Sequence, residues 1–443
     1  MITRRNFLKN TALGSGLVFA PSFAMSAAKK IGANDTINVA LVGVGSQGTV
    51  LLESLVKIPG IRIVAICDIW EFRRKYGVAY AKKMSINKGD VNGYEDHRDL
   101  IAKEKDLDAA IIATPDFWHS PQTCDFLNAG INVYCEKMMA ESVESAKKMV
   151  RAMRSSKKLL QIGHQRTSNP RYHFVRDVLL REHQICGRLV NANGQWNRGV
   201  TDDLVMPEKY QIPQATLDKY GFKDAHQFRN WRWFKGLGGG PISDLGAHQI
   251  DVFGWFFGGR PKSVMASGDN SYYKREWFDN VMTILEYDTF QGYTARAFYQ
   301  VLTATSAGGG YFEQFMGDEG TIRMSENPAL TAIFRENRAP DWAKFIEAGI
   351  LKNSASGAAA ADTAIADARE SKALVSYEIN KTLEGPIHMP HLVNYFNAIR
   401  GLEPLNCDGE HAYEREAAVF KIVQAIEAKK TLFFEDSDFV VED

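Results

Sequence analysis

The chain has 443 residues, 45% of them hydrophobic and 24% charged, with 53 basic and 53 acidic side chains. That length asks for about two cores, and that mix is globular rather than disordered or membrane-embedded. A formal net charge of zero argues against general electrostatic attraction to nucleic acid or anionic lipid.

The N-terminus reads Thr3-Arg4-Arg5-Asn6-Phe7-Leu8-Lys9, followed by an apolar run from Thr11 to Ala20, Pro21 and small residues. A charged start, a short apolar middle and a small-residue exit describe a signal peptide, and the run is too short to cross about 30 Å of hydrocarbon. The paired arginines resemble a twin-arginine export signal. Residues 1–27 are therefore expected to direct the folded protein to the periplasm through the twin-arginine machinery, with cleavage after Ala24 or Ala27. No membrane span is expected. The five cysteines, Cys67, Cys124, Cys135, Cys186 and Cys407, are widely spaced and form no CxxC pair. They read as small core residues, and no metal site is expected.

Ile37 to Val44 is a β-branched apolar run, as in a buried parallel strand. It leads into Gly43-Val44-Gly45-Ser46-Gln47-Gly48, a G-x-G-x-x-G turn, and then a helical pattern through Leu55. A second strand, Ile61 to Ile66, precedes Asp68, about 20 residues beyond the last glycine. The glycines permit the tight turn, the approach of backbone to a pyrophosphate and close helix–strand packing, while a carboxylate at Asp68 would bond ribose hydroxyls. NAD is favoured over NADP, because that carboxylate would repel a 2′-phosphate. Arg73 and Arg74 weaken the argument unless they are solvated helix residues.

Strands follow at residues 107–113, 132–135 and 159–163, with a helix over 120–129. This alternation predicts a doubly wound parallel sheet over residues 34–163. The remainder, 164–443, is predicted to form an α+β domain. Strands at 262–267, 281–287 and 292–299 suit a large, mostly antiparallel open sheet, and helices are expected over 389–400 and 411–429. The Ala-, Ser- and Gly-rich stretch 353–367 reads as a flexible insertion.

An ordered series carries a family resemblance. It comprises Gly43–Gly48, Asp68, Ala113-Thr114-Pro115 with His119, Ala129-Gly130, Glu136-Lys137, Gly238–Pro241, Asp244-Leu245-Gly246-Ala247-His248 and Asp251. The chain thereby resembles the Gfo/Idh/MocA oxidoreductases, which include glucose–fructose oxidoreductase and inositol dehydrogenase. The resemblance implies an N-terminal Rossmann domain and a C-terminal sheet domain that often forms homo-oligomers, here a dimer or tetramer. It places Lys137 beside nicotinamide and substrate, with Asp244 and His248 opposite and His248 as general acid/base. Met138 departs from the family's usual proline after Glu-Lys.

Oxidising a sugar hydroxyl removes a hydride and a proton, and an imidazole near pKa 6.5 suits the proton. Lys137 could stabilise charge on oxygen, or simply end a strand on the surface. Asp244, four residues before His248, could share its helical face or merely cap the helix. Expected cofactor contacts are Gly43, Gly45, Ser46, Gln47, Gly48, Asp68, Thr114, Pro115, His119, Glu136, Lys137 and Gln165. Expected substrate contacts are Arg166, Tyr172, Trp196, Arg198, Trp231, Arg232, Asp244 and His248, with His391 and Asn394 as weaker candidates, and Trp231-Arg232-Trp233-Phe234, just before the glycine run, could close over the cofactor. The expected activity is oxidation of a carbohydrate with tightly bound NAD. The alternatives are a redox-neutral glycosidase acting through a 3-keto sugar and a non-catalytic sugar or NAD sensor.

Overall fold

The computed structural model describes residues 36–354 and 374–442. The expected export signal, and residues 355–367 of the expected insertion, lie outside them.

Six parallel strands form the first sheet, in the order β3-β2-β1-β4-β5-β6. They are β1 (Ile37–Val42), β2 (Ile61–Cys67), β3 (Asn92–Tyr94), β4 (Ala109–Ile112), β5 (Asn132–Cys135) and β6 (Leu160–Ile162). The central strands are apolar because helices cover both faces: every residue of β1 except Asn38 is buried. The crossovers include α1 (Ser46–Leu55), α2 (Glu71–Met84), α3 (His97–Lys103), α4 (Asp116–Asn128) and α5 (Val143–Ser156). The order reverses beside β1, so the carboxyl ends of β1 and β4 open a crevice, the usual ligand position in such sheets.

The second sheet has ten strands, in the order β14-β15-β13-β12-β11-β7-β10-β9-β8-β16. Its centre is β7 (Leu189–Asn197), β10 (Thr294–Leu302), β9 (Asn280–Asp288) and β8 (Pro261–Asp269). Toward one edge lie β11 (Tyr311–Gly317), β12 (Gly320–Met324), β13 (Ala332–Arg335), β15 (Val375–Ile379) and β14 (Leu351–Asn353), and β16 (Leu432–Phe433) closes the other. All pairings are antiparallel except β7 with β10. The helix α6 (Ala247–Phe257) packs on one face, with Phe253, Phe256 and Phe257 fully buried.

Two C-terminal helices return to the first sheet. Leu392, Tyr395 and Phe396 of α7 (Met389–Ile399) join the core around Val39 and Leu41. The 20-residue α8 (Gly409–Ala428) spans both lobes. Its Ala412 and Tyr413 pack under the parallel sheet, while Val419, Ile422 and Ile426 pack under the ten-stranded one. All five cysteines are free thiols, four of them buried. No described helix is long and apolar enough to cross a membrane.

Candidate active site

The glycine turn is built as its chemistry requires. Gly43 adopts φ +89°, and a Cβ there would lie 2.6 Å from the Ala113 carbonyl oxygen. A Cβ on Gly48 would lie 2.0 Å from the Gly43 oxygen, so the third glycine lets α1 pack against the turn. A Cβ on Gly45 would meet nothing, leaving that backbone open to a ligand at the start of α1. Gly48 lies behind the turn, outside the cavity wall.

A single cavity runs from this turn to the second lobe. Of the expected residues, Gly43, Gly45, Ser46, Gln47, Asp68, Thr114, Pro115, His119, Glu136, Lys137 and Gln165 line it, as do Trp196, Trp231, Arg232, Asp244 and His248. Asp68 accepts hydrogen bonds from the backbone N–H groups of Val44 and Trp70, both at 2.7 Å, and burial raises its carboxyl above the usual range. Arg73 and Arg74 are half-buried rather than solvated. Arg74 donates to the Asp68 carbonyl at 2.6 Å, and Arg73 faces the cavity.

The end of the cavity away from the glycine turn, the candidate reacting end, is assembled from both lobes. Lys137 Nζ donates to the Asp244 carbonyl oxygen at 2.7 Å and lies 3.6 Å from its Oδ1. Arg232 Nε donates to the same Oδ1 at 2.9 Å. Burial pushes the Asp244 carboxyl up, but Arg232 and Lys137 outweigh it and hold the group well below the carboxylate range. Burial and the Lys137 charge press His248 well below the usual imidazole value, so it stands neutral and would hold an added proton only weakly. Its ring sits 5.8 Å from that of Trp196, which stacks on Tyr311 at 4.3 Å.

Several expected contacts serve as supports. Glu136 accepts from Gln47 at 3.0 Å and from Tyr134 at 3.2 Å; a Cβ on Gly163 would lie 2.7 Å from its Oε2, so that glycine makes room for it. His119 lines the cavity, but its ring nitrogens lie 2.7 and 2.8 Å from the carbonyls of Met138 and Thr114, bracing two loops together. The Lys137–Met138 peptide is cis. Glu416 of α8 holds the following residue, accepting from Met139 N at 2.8 Å and lying 2.9 Å from His164 Nε2.

Three expected substrate contacts lie outside the wall. Arg166 and Tyr172 are fully buried. Arg166 pairs with Glu313 and, at 3.1 Å, with Glu326, and the Tyr172 hydroxyl donates to Glu313 at 3.0 Å. A buried glutamate needs a counterion, and Glu313 has claimed both side chains. Arg198 is half-buried, and its charge helps lower the Asp244 carboxyl. His391 and Asn394 are also structural: His391 bonds Ile162 O and Ser168, and Asn394 bonds Asn406 N and Pro404 O.

The segment Trp231–Phe234, expected to close over a cofactor, is one part of a larger cover whose other helices the sequence reading did not anticipate. Between β7 and α6 the chain forms short helices that dock on the Rossmann edge through a small core of Trp70, Met206, Ile212, Leu217, Tyr220 and Phe222. Trp70 and Trp118 donate indole N–H groups to the carbonyls of Tyr210 and Tyr220, and Phe72 stacks on Tyr210 at 4.0 Å. Arg73 and Arg229 line the cavity beside Trp70, 5.8 and 5.1 Å from its ring. Their Nε atoms are buried without a hydrogen-bond partner. The glycine cradle and these orphaned donors fit an elongated, polar, phosphate-bearing ligand such as a dinucleotide. Asp116 and His388 also line the cavity, and nothing in the sequence patterning had singled them out.

A Rossmann sheet whose glycine turn shares one cavity with charged residues of a sheet-forming second lobe defines a two-lobed dinucleotide-binding protein. Residues 37–164 match the family model for the NAD-binding Rossmann fold of the Gfo/Idh/MocA oxidoreductases, and residues 213–323 match that for the family's C-terminal domain. The chain belongs to the Gfo/Idh/MocA family of oxidoreductases. It is 30% identical over 205 residues to an inositol 2-dehydrogenase of Rubrobacter xylanophilus, covering 46% of this chain and 53% of that one. It is 32% identical over 167 residues to a glycosyl hydrolase family 109 protein of Shewanella baltica, covering 34% and 36%. These matches therefore span about half or less of the curated relatives. The WlbA dehydrogenase from Bordetella pertussis, solved with NADH and UDP-GlcNAcA, shares the fold, with a TM-score of 0.61 at 18% identity over 90% of this chain and 99% of that one.

Proposed function

We propose that this protein oxidises a hydroxyl of a sugar or sugar-like polyol, with a tightly held NAD as hydride acceptor. One observation carries the reading: Lys137 from the Rossmann lobe and Asp244 and His248 from the second lobe meet in the cavity that begins at the glycine turn. When bound, the dinucleotide supplies the hydride-accepting ring. His248, neutral, takes the hydroxyl proton. Lys137 stabilises the charge that develops on the same oxygen. Asp244, held anionic by Arg232, fixes the lysine ammonium in place. At the far end Asp68 supports NAD, with Arg74 engaged by the Asp68 carbonyl, while Arg73 and Arg229 border the cavity beside Trp70, where they would flank the adenosine half and weaken the preference against a 2′-phosphate.

The cover supports tight retention, since a nucleotide in the cavity lies beneath residues of both lobes. That suits a protein exported already folded to the periplasm by the twin-arginine route, where soluble dinucleotide is scarce. Met265, Met282 and Ile284, exposed on neighbouring strands of the large sheet, support homo-oligomerisation through that face.

Denaturing protein purified without added cofactor should release NAD or NADH, identified by mass and absorbance. Adding myo-inositol or related polyols to the native protein should then change nicotinamide absorbance. Protein that carries no dinucleotide and binds none when it is added overturns the reading. The likeness to the family 109 protein supports a second reading, a redox-neutral glycosidase that oxidises, eliminates, hydrates and reduces. Release of phenol from aryl glycosides with no added NAD and no net reduction would select it.

A further inference from the structure

Asp116 opens α4 directly after Thr114-Pro115, at the carboxyl end of β4. Only 6% of it is exposed, it borders the cavity, and its carboxyl makes no hydrogen bond among the described residues. A carboxyl so little exposed that meets no protein donor has to find its partner in the cavity it borders. The charged groups that act on it are Lys137, Arg232, Asp244 and Glu416. The neighbouring Phe117 N donates to Leu237 O of the second lobe at 3.3 Å, and the ring of His119, one turn on, lies 2.7 Å from the Met138 carbonyl beside Lys137, so Asp116 sits in the wall where the two lobes meet around Lys137.

Two carboxyls thus share one wall and differ in their surroundings. Asp244 is bonded to Arg232 and lies near Lys137, which keeps it anionic. Asp116 has neither bond. Burial dominates there, outweighing Lys137 and Arg232, and pushes its carboxyl up to about 8. Neighbouring acids driven apart in this way mark distinct roles.

We propose that Asp116 is a catalytic residue of this site: a neutral carboxylic acid that donates its O–H to the reacting oxygen of the substrate. This rests on the oxidoreductase reading. An alcohol oxygen donates one hydrogen bond and accepts two. His248 receives the donated one, and Lys137 and Asp116 supply the other two. As the hydroxyl proton passes to His248 and the hydride leaves carbon, both donors stabilise the charge on oxygen. The Asp116 proton stays on Asp116 throughout, so the balance of the reaction is unchanged. A carboxylate there would repel the same oxygen, so activity falls as the group ionises.

The experiment uses the dinucleotide-loaded protein with myo-inositol and related polyols, on the wild type, Asp116→Asn and Asp116→Ala. In the wild type, kcat/KM should fall as pH rises through about 8. Asp116→Asn, which keeps a donor that cannot ionise, should lose a few-fold and lack that alkaline limb. Asp116→Ala should lose roughly ten- to a hundredfold. Three identical pH profiles, or equal losses in both variants, overturn the proposal. Infrared spectra give a readout without turnover. A protonated-carboxyl carbonyl band should be present in the wild type at neutral pH, absent in Asp116→Asn, and shifted by polyol. A missing band, or one that no polyol moves, overturns the proposal, whereas the oxidoreductase reading falls only if no dinucleotide binds.

Discussion

At the scale of single residues, placement within a few ångströms separates groups that do chemistry from groups that support it. Lys137 reaches across to Asp244 and opens on the cavity, so Lys137→Ala should lower kcat by roughly 10²- to 10⁴-fold while leaving dinucleotide content unchanged, read by steady-state kinetics and by mass of the released nucleotide. Arg166 follows the last Rossmann strand, and a position at a strand's carboxyl end does not say which way the side chain turns. It turns inward, to Glu313 and Glu326. Arg166→Ala should therefore cost about 3–5 kcal/mol of stability by leaving a buried charge unpaired, with little change in KM in whatever fraction stays folded. Asp116 adds a pH dependence. Its carboxyl rises from 3.8 to about 8 on folding, so between those values the folded state binds more protons than the unfolded state. Its contribution thus makes stability fall as pH rises through the interval, and melting curves of Asp116→Asn should lack that share of the slope. Nothing in a sequence marks such a carboxyl, because its character comes from a cavity closed by distant segments.

At the scale of elements, legibility followed periodicity. Buried parallel strands such as β1 and β5 are short apolar runs with turn residues beside them, and they lie within two residues of where the sequence placed them. The glycine turn was equally plain, since its steric demands admit only glycine at Gly43 and Gly48. The strand β3 was overlooked: three residues, one a glycine and two exposed, carry no alternation to detect. The cover beyond Trp231–Phe234 was overlooked for a related reason. Its helices are five and six residues long, too short to show a hydrophobic stripe. Its aromatic anchors make sense only against Trp70 and Phe72 across the crevice. Phe72→Ala should loosen that docking and speed NADH release at least several-fold, followed by the decay of bound-NADH fluorescence on dilution; an unchanged release rate would mean that the cover does not retain the cofactor.

At the scale of the whole molecule, the helix α8 has its first turns under one sheet and its last turns under the other, and Glu416, midway along it, holds the loop that carries Lys137. The linear sequence suggests that a Rossmann half could be cut free after residue 163. Yet α7, more than two hundred residues later, covers one face of that half. An excised first half would thus expose the surface that Leu392, Tyr395 and Phe396 now cover, and it should aggregate rather than fold. Calorimetry of the intact chain should accordingly trace one endotherm where an architecture of beads on a string would give a pair. Wide hinge-like gaping between halves is barred by the same shared girder, so admission of substrate falls to small local rearrangements around the rim.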